Sequence, residues 1–134
     1  MTTMRLTFLA LVIIWLSGCV ATAPSLSPQE VGTIDYGSYP ENYEQVIQDH
    51  FAKTLFEPAA AQYRFGKPFQ GFLQAGPLLG GKVQDAGYVV DVWLKAMDRS
   101  GAYMPEKHLG VLIKDGEVLM ELAEGELAGV RRPQ

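Results

Sequence analysis

Tyr88-Val89-Val90-Asp91-Val92-Trp93-Leu94-Lys95-Ala96-Met97 decides the fold. Successive side chains of a strand point to opposite faces. Val90, Val92, Leu94 and Ala96 therefore share a wholly apolar face, and Val89, Asp91, Trp93, Lys95 and Met97 share a mixed one. This alternation predicts a half-buried antiparallel strand. Downstream, Asp98 to Glu106 reads as a long turn and Leu109–Lys114 as a second strand. Asp115-Gly116 then turns the chain into Glu117–Leu122. An Asp-Gly pair between apolar runs is a strong hairpin signal, because a two-residue turn needs positive φ at both positions.

Upstream, Gln74 to Gly87 is a glycine-rich loop, and Gln62–Phe65 and Phe69–Leu73 are short extended pieces divided by Gly66 and Pro68. Pro40 to about Phe56 predicts a helix. Tyr43, Val46, Ile47, Phe51 and Leu55 form its apolar stripe, with His50 in the same stripe. Pro40, Glu41 and Glu44 suit its first turn, and Glu57-Pro58 ends it. The expected fold is α+β: one N-terminal helix packed on a small antiparallel sheet of about four strands, a meander with a C-terminal hairpin. The globular domain spans 40–123, and 124–134 reads as a loose tail.

The chain ahead of the helix divides in two. Residues 19–39, with Pro24, Pro28, Gly32 and Gly37 among serines and threonines, read as a flexible tether. Its less polar patch, Val31 to Tyr39, is the part suited to dock on the domain. Residues 1–18 read as an export signal: a short start carrying Arg5, an apolar stretch Leu6 to Leu16, then small residues. The alternative, a membrane-spanning helix, needs about 20 apolar residues and fits poorly. Leu16-Ser17-Gly18-Cys19 resembles the lipobox of bacterial lipoproteins. That resemblance implies a diacylglyceryl thioether on Cys19, cleavage before it and acylation of the new amino terminus. Val20 rather than aspartate follows the cysteine. By similarity to enterobacterial sorting, this implies an outer-membrane lipoprotein facing the periplasm.

Composition agrees. Removing residues 1–18 leaves about 115 residues, the size of one small domain. It also leaves 10 basic against 15 acidic residues, a net charge of −5. A mildly acidic domain is a poor partner for nucleic acid or for anionic head groups. The single cysteine forbids an internal disulfide, and lipidation accounts for its presence.

From about Tyr39 to Leu122 the chain also resembles a type of small, uncharacterised proteobacterial lipoprotein domain. The resemblance lies in Tyr39-Pro40-Glu41-Asn42-Tyr43, in Glu57-Pro58-Ala59-Ala60-Ala61-Gln62-Tyr63-Arg64-Phe65, in Gly87-Tyr88-Val89-Val90 and in Lys114-Asp115-Gly116-Glu117-Val118. It implies a fold and an address, and no activity.

Little in the sequence suggests catalysis. Gly76-Pro77-Leu78-Leu79-Gly80-Gly81-Lys82 has phosphate-loop spacing, but Val83 stands where magnesium needs Ser or Thr. No nucleotide is expected. His50 and His108 lack metal-ligand spacing. Ser100 lacks a nucleophile elbow. Asp91 and Asp98, seven residues apart, would lie roughly 23 Å apart on an extended strand, too far to act as an acid–base pair. No catalytic residue, metal or cofactor is assigned. Binding candidates are Arg99, Tyr103 and Met104 on the long turn, and Trp93 on the mixed face.

The expected function is a membrane-anchored, non-catalytic binding or structural module, an accessory part of an outer-membrane or secretion assembly with an envelope protein as partner. An inhibitor of a cell-wall hydrolase such as lysozyme is the alternative, and a small envelope enzyme is a third reading.

Overall fold

A strand flanked by partners on both edges and buried on both faces can run long, and the main strand does. In the computed structural model, which describes residues 24–134, β3 spans Val83–Lys95. Five of the residues expected in the glycine-rich loop thus belong to the strand. Along one edge it pairs antiparallel with β1 (Gln62–Phe65), Phe65 opposite Val92, and with β2 (Phe69–Gln74), Phe69 opposite Val89. These two are one edge strand broken at Gly66-Lys67-Pro68, where proline has no N–H to give. The Gly66 N–H still reaches the Asp91 carbonyl at 2.8 Å. On its other edge β3 pairs with β4 (Lys107–Lys114), which pairs with β5 (Glu117–Ala123). The α+β class and the antiparallel sheet agree with the sequence reading. The sheet has five strands rather than about four, because the broken edge contributes two.

The expected Asp-Gly hairpin forms. Asp115 and Gly116 take φ of 50° and 81°, the positive values that a two-residue turn requires. A register shift follows between Leu112 and Ile113, where β5 carries an extra residue and Leu119 is left exposed.

Each face of the sheet carries a core. Val90, Val92 and Leu94 of β3 join Leu109, Val111 and Ile113 of β4 under Ile47 and Phe51 of the main helix. Helix α2 spans Tyr43–Ala52, shorter than the 40–56 expected. Asn42 is its N-cap, so Pro40 and Glu41, expected in the first helical turn, lie ahead of the helix, and the Pro40 carbonyl accepts the Tyr43 N–H in a preceding turn. At the other end the Phe51 carbonyl takes the N–H groups of both Thr54 and Leu55, so the helix stops before Phe56. On the opposite face, Val89, Leu112 and Leu122 form a second core with Phe69, Leu73, Met120, Leu127 and Val130.

The two flanks read as loose both fold back. Ahead of α2, Ser27 and Glu30 make a reciprocal capping box that starts helix α1 (Pro28–Gly32). Val31 and Ile34 pack around Tyr36, Phe72 and Ala86, and Ser38 donates to the Asp115 carboxylate. The patch Val31–Tyr39 therefore docks, and the described part of the tether, from Pro24, is not a free chain. After β5, the Glu126 carboxylate caps the Ala123 N–H and opens helix α3 (Glu124–Leu127). Arg131 exchanges two backbone hydrogen bonds with Phe72, each 2.9 Å. The crossing is possible because position 71 is glycine: a Cβ there would sit 2.7 Å from Val130 Cγ1. Residues 124–134 are thus a closing segment rather than the loose tail expected.

Removing residues 130–134 should lower unfolding stability in urea by about 1–3 kcal/mol, the loss of two backbone hydrogen bonds. A free tail would leave the midpoint unchanged.

Candidate functional site

The direction of β3 sorts the surface into two ends. Its first residues lie beside the β2–β3 turn, and its last lead into the 96–106 loop. A strand of 13 residues holds these ends roughly 40 Å apart. Pro24, where the described chain begins, is held at the first end: its carbonyl accepts the Gln74 side-chain amide at 3.0 Å.

At the second end the 96–106 loop is braced from within. One Asp98 carboxylate oxygen accepts the Ser100 hydroxyl at 2.6 Å, the Ser100 N–H at 2.8 Å and the Ala102 N–H at 3.1 Å. These bonds, the hydroxyl first, hold the Asp98 carboxyl below its ordinary pKa. Gly101 supplies the positive φ, 83°, that closes the turn. Met97 and Tyr103 pair as an isolated bridge, and the Met104 N–H donates to Ala96.

This loop carries three of the four expected binding residues, each at a different neighbour: Met104 at a groove beside Leu94 and Ala96, Tyr103 beside Lys95 and Arg99 beside Phe56. Tyr103 is 42% and Met104 45% exposed. The Tyr103 hydroxyl donates to the Ala60 carbonyl at 3.0 Å, which fixes the ring across the strand edge. The Arg99 guanidinium lies 5.6 Å from the ring centre of Phe56, itself 59% exposed. Behind Met104 an open groove of about 430 Å³ runs between the end of α2 and the sheet, lined by Leu55, Leu94, Ala96 and Pro105 among others. Phe56 and Pro105 were not singled out from sequence, and Leu55 was read only as part of the helix's apolar stripe. Phe56 read as the last residue of a longer helix; the structure places it beyond the end of α2, exposed and beside Arg99.

Trp93 is not part of this cluster. Alternation places it on the opposite face from Leu94, and it is half-buried in a ladder across three strands. Its ring stacks on His108 of β4, 4.7 Å between centres and 5° from parallel. The Arg64 guanidinium of β1 lies 4.8 Å from its ring centre and also binds Glu106 at 2.8 Å. His108 Nε2 lies 2.9 Å from Asp91 Oδ1, and Nδ1 lies 3.5 Å from Glu124 Oε1. The Asp91 hydrogen bond, helped by Glu124 and opposed by partial burial, raises the His108 pKa above its ordinary value. Sequence reading missed this ladder because it depends on register: Trp93 stands opposite both Arg64 and His108. Tyr88, earlier in the strand, and Met97, just beyond its end, have partners of their own. Tyr88 lies edge-to-face with Tyr39, and Met97 pairs with Tyr103.

His50 of α2 meets Glu121 of β5 at 2.8 Å. Among the described residues, no three His, Cys, Asp or Glu side chains are grouped to hold a metal ion. Gly76–Lys82 forms the β2–β3 turn, a short 3-10 helix between two strands rather than a loop leading into a long helix. Cys19 lies outside the described residues. Among those described, no helix is long and apolar enough to cross a membrane.

The His108 pair has a definite pH signature. A histidine whose folded pKa is raised contributes stability that is complete below its unfolded pKa and lost as pH rises through the folded value. Wild type should therefore exceed Asp91→Asn most at about pH 5.5, by about 0.2–1 kcal/mol, and the gap should shrink toward pH 8. In an NMR titration the His108 midpoint should fall in Asp91→Asn. A gap that widens with pH would contradict the pairing.

No protein-family model matches the chain, and no curated protein and no solved structure matches it either.

Proposed function

We propose that the protein is a lipid-anchored envelope lipoprotein that acts as a non-catalytic binding module, an accessory part of an outer-membrane or secretion assembly. The anchor rests on Leu16-Ser17-Gly18-Cys19. The binding role rests on one observation: Met104 stands exposed at an apolar groove, and Phe56 and Tyr103 are exposed at the same end of the sheet, away from Pro24. Exposed large apolar side chains around a groove mark protein contacts, and a few such anchors carry most of an interface's energy. The loop is held by Asp98 before any partner arrives, so little ordering entropy opposes binding. Arg99 supplies a cationic rim.

The same bracing favours a second reading, an inhibitor that presents the loop to a cell-wall hydrolase such as lysozyme. The Tyr103 hydroxyl is already committed to Ala60, which suits a flat contact better than a plug, so the assembly reading stands first.

A photo-crosslinking residue at position 56 or 104, activated in cells, should give a discrete adduct with an envelope protein. The same residue at the exposed Glu117, on the β4–β5 turn, should not. Met104→Asp should reduce adduct formation from position 56 about tenfold, the weight of a hot-spot residue. Equal adducts from 56, 104 and 117, or none, would overturn the proposal. Inhibition of lysozyme that is lost in Tyr103→Ala would transfer it to the second reading.

A further inference from the structure

The β2–β3 turn exposes two adjacent leucines that nothing in the fold requires. Leu78 is 100% and Leu79 68% exposed, the highest values among the large apolar side chains described. The turn is built internally: the Leu79 and Gly81 N–H groups reach the Gly76 carbonyl, and the Gly80 N–H reaches Pro77. Gly80 and Gly81 take φ of 79° and 65°, which brings the chain back to β3. From Ala75 to Gly81 there is no charged residue. The turn is a small, uncharged, apolar tip whose backbone is partly self-satisfied, the kind of element that can enter the boundary between head groups and acyl chains.

A second observation says what lies against it. Pro24 is packed on this turn. The Gln74 side-chain amide donates both to Pro24, at 3.0 Å, and to Gly81, at 2.6 Å. A Cβ on Gly81 would sit 2.9 Å from Pro24 Cγ. Cys19 is five residues upstream, and five extended residues reach at most about 18 Å. An acyl group on Cys19 therefore keeps the two leucines within reach of the surface that takes the lipid.

We propose that Leu78 and Leu79 are a second membrane contact, inserted into the bilayer interface beside the Cys19 lipid and holding the domain upright on the membrane. The inference rests on acylation of Cys19. The occupant is a lipid surface met through apolar insertion rather than through charge. The groove beside the turn carries Glu30 and Asp35 against Lys82 and Lys114, which leaves no dominant sign. Lys82, exposed at the base of the turn, can reach the phosphate level with its stem along the apolar layer.

The test uses the full acylated chain in phosphatidylcholine vesicles. With the Cys19 sulfur alkylated, Leu79→Cys provides a single free thiol for an environment-sensitive fluorophore, and Glu57→Cys, at the far end, is the control. Lipids carrying a spin label just below the head group should quench the probe at 79 at least about threefold more than the probe at 57. Adding anionic lipid should leave that ratio unchanged, and Leu78→Ser should lower it. Equal quenching at both sites overturns the inference. So does quenching at 79 that appears only at high protein density, because the turn would then be meeting a second copy. Intact mass tests the anchor separately: an unacylated Cys19 removes the anchor reading and this inference with it. Acylated protein with equal quenching removes the inference alone.

Discussion

The pairing of β3 with partners on both edges is the constraint on which the rest of the structure depends. Its 13 residues pair with β1 and β2 along one edge, and Tyr88 to Leu94 also pair with β4 along the other. Its faces are covered by other elements. The even-numbered side chains from Val90 pack under α2, and Val89 packs under α3 and the Leu127–Val130 segment. Without that register, α2 has no apolar face to cover. The Arg64–Trp93–His108 ladder would also lose its geometry, since each member comes from a different strand.

The same strand gives the molecule two chemically different ends. At one end are Pro24, the Leu78–Leu79 turn and the strand bridge made by Arg131. At the other are Phe56, the braced 96–106 loop and the groove behind Met104. An anchor and a binding surface interfere least when the scaffold separates them, and a rigid strand fixes that separation better than a free linker. In this reading the reach of the module comes from the sheet, because the segment ahead of α2 is packed against the domain from Leu26 to Tyr39. Under the proposed function, the lipid would set the place and the sheet would set how far from the membrane the partner is met.

Much of the fold was legible in local sequence. The alternation of Val90, Val92 and Leu94, the stripe of Ile47 and Phe51, and the Asp115-Gly116 turn are local signals that long-range packing did not override. Less legible were features that depend on partners far along the chain. The 124–134 segment looks polar and glycine-containing, yet Leu127, Val130 and the Arg131 backbone find sites on β2 and β4 that no local pattern announces. The β2–β3 hairpin extends β3 back to Val83 because Phe72 and Leu73 supply partners. Arg99, Tyr103 and Met104 were identifiable because a long turn rich in large side chains is unusual. Phe56 and the separation of Trp93 from that cluster required knowing where α2 ends and which face each strand residue takes.

The central claim is that the domain stands upright with its N-terminal end against the bilayer. Neutron reflectometry of the acylated protein on a supported phosphatidylcholine bilayer measures this most directly. The account predicts a protein layer that begins at the head groups and extends about 40 Å or more, the length of β3 plus its loops. A water-filled gap of a few nanometres between the head groups and the protein would contradict it, as would a layer much thinner than the strand is long.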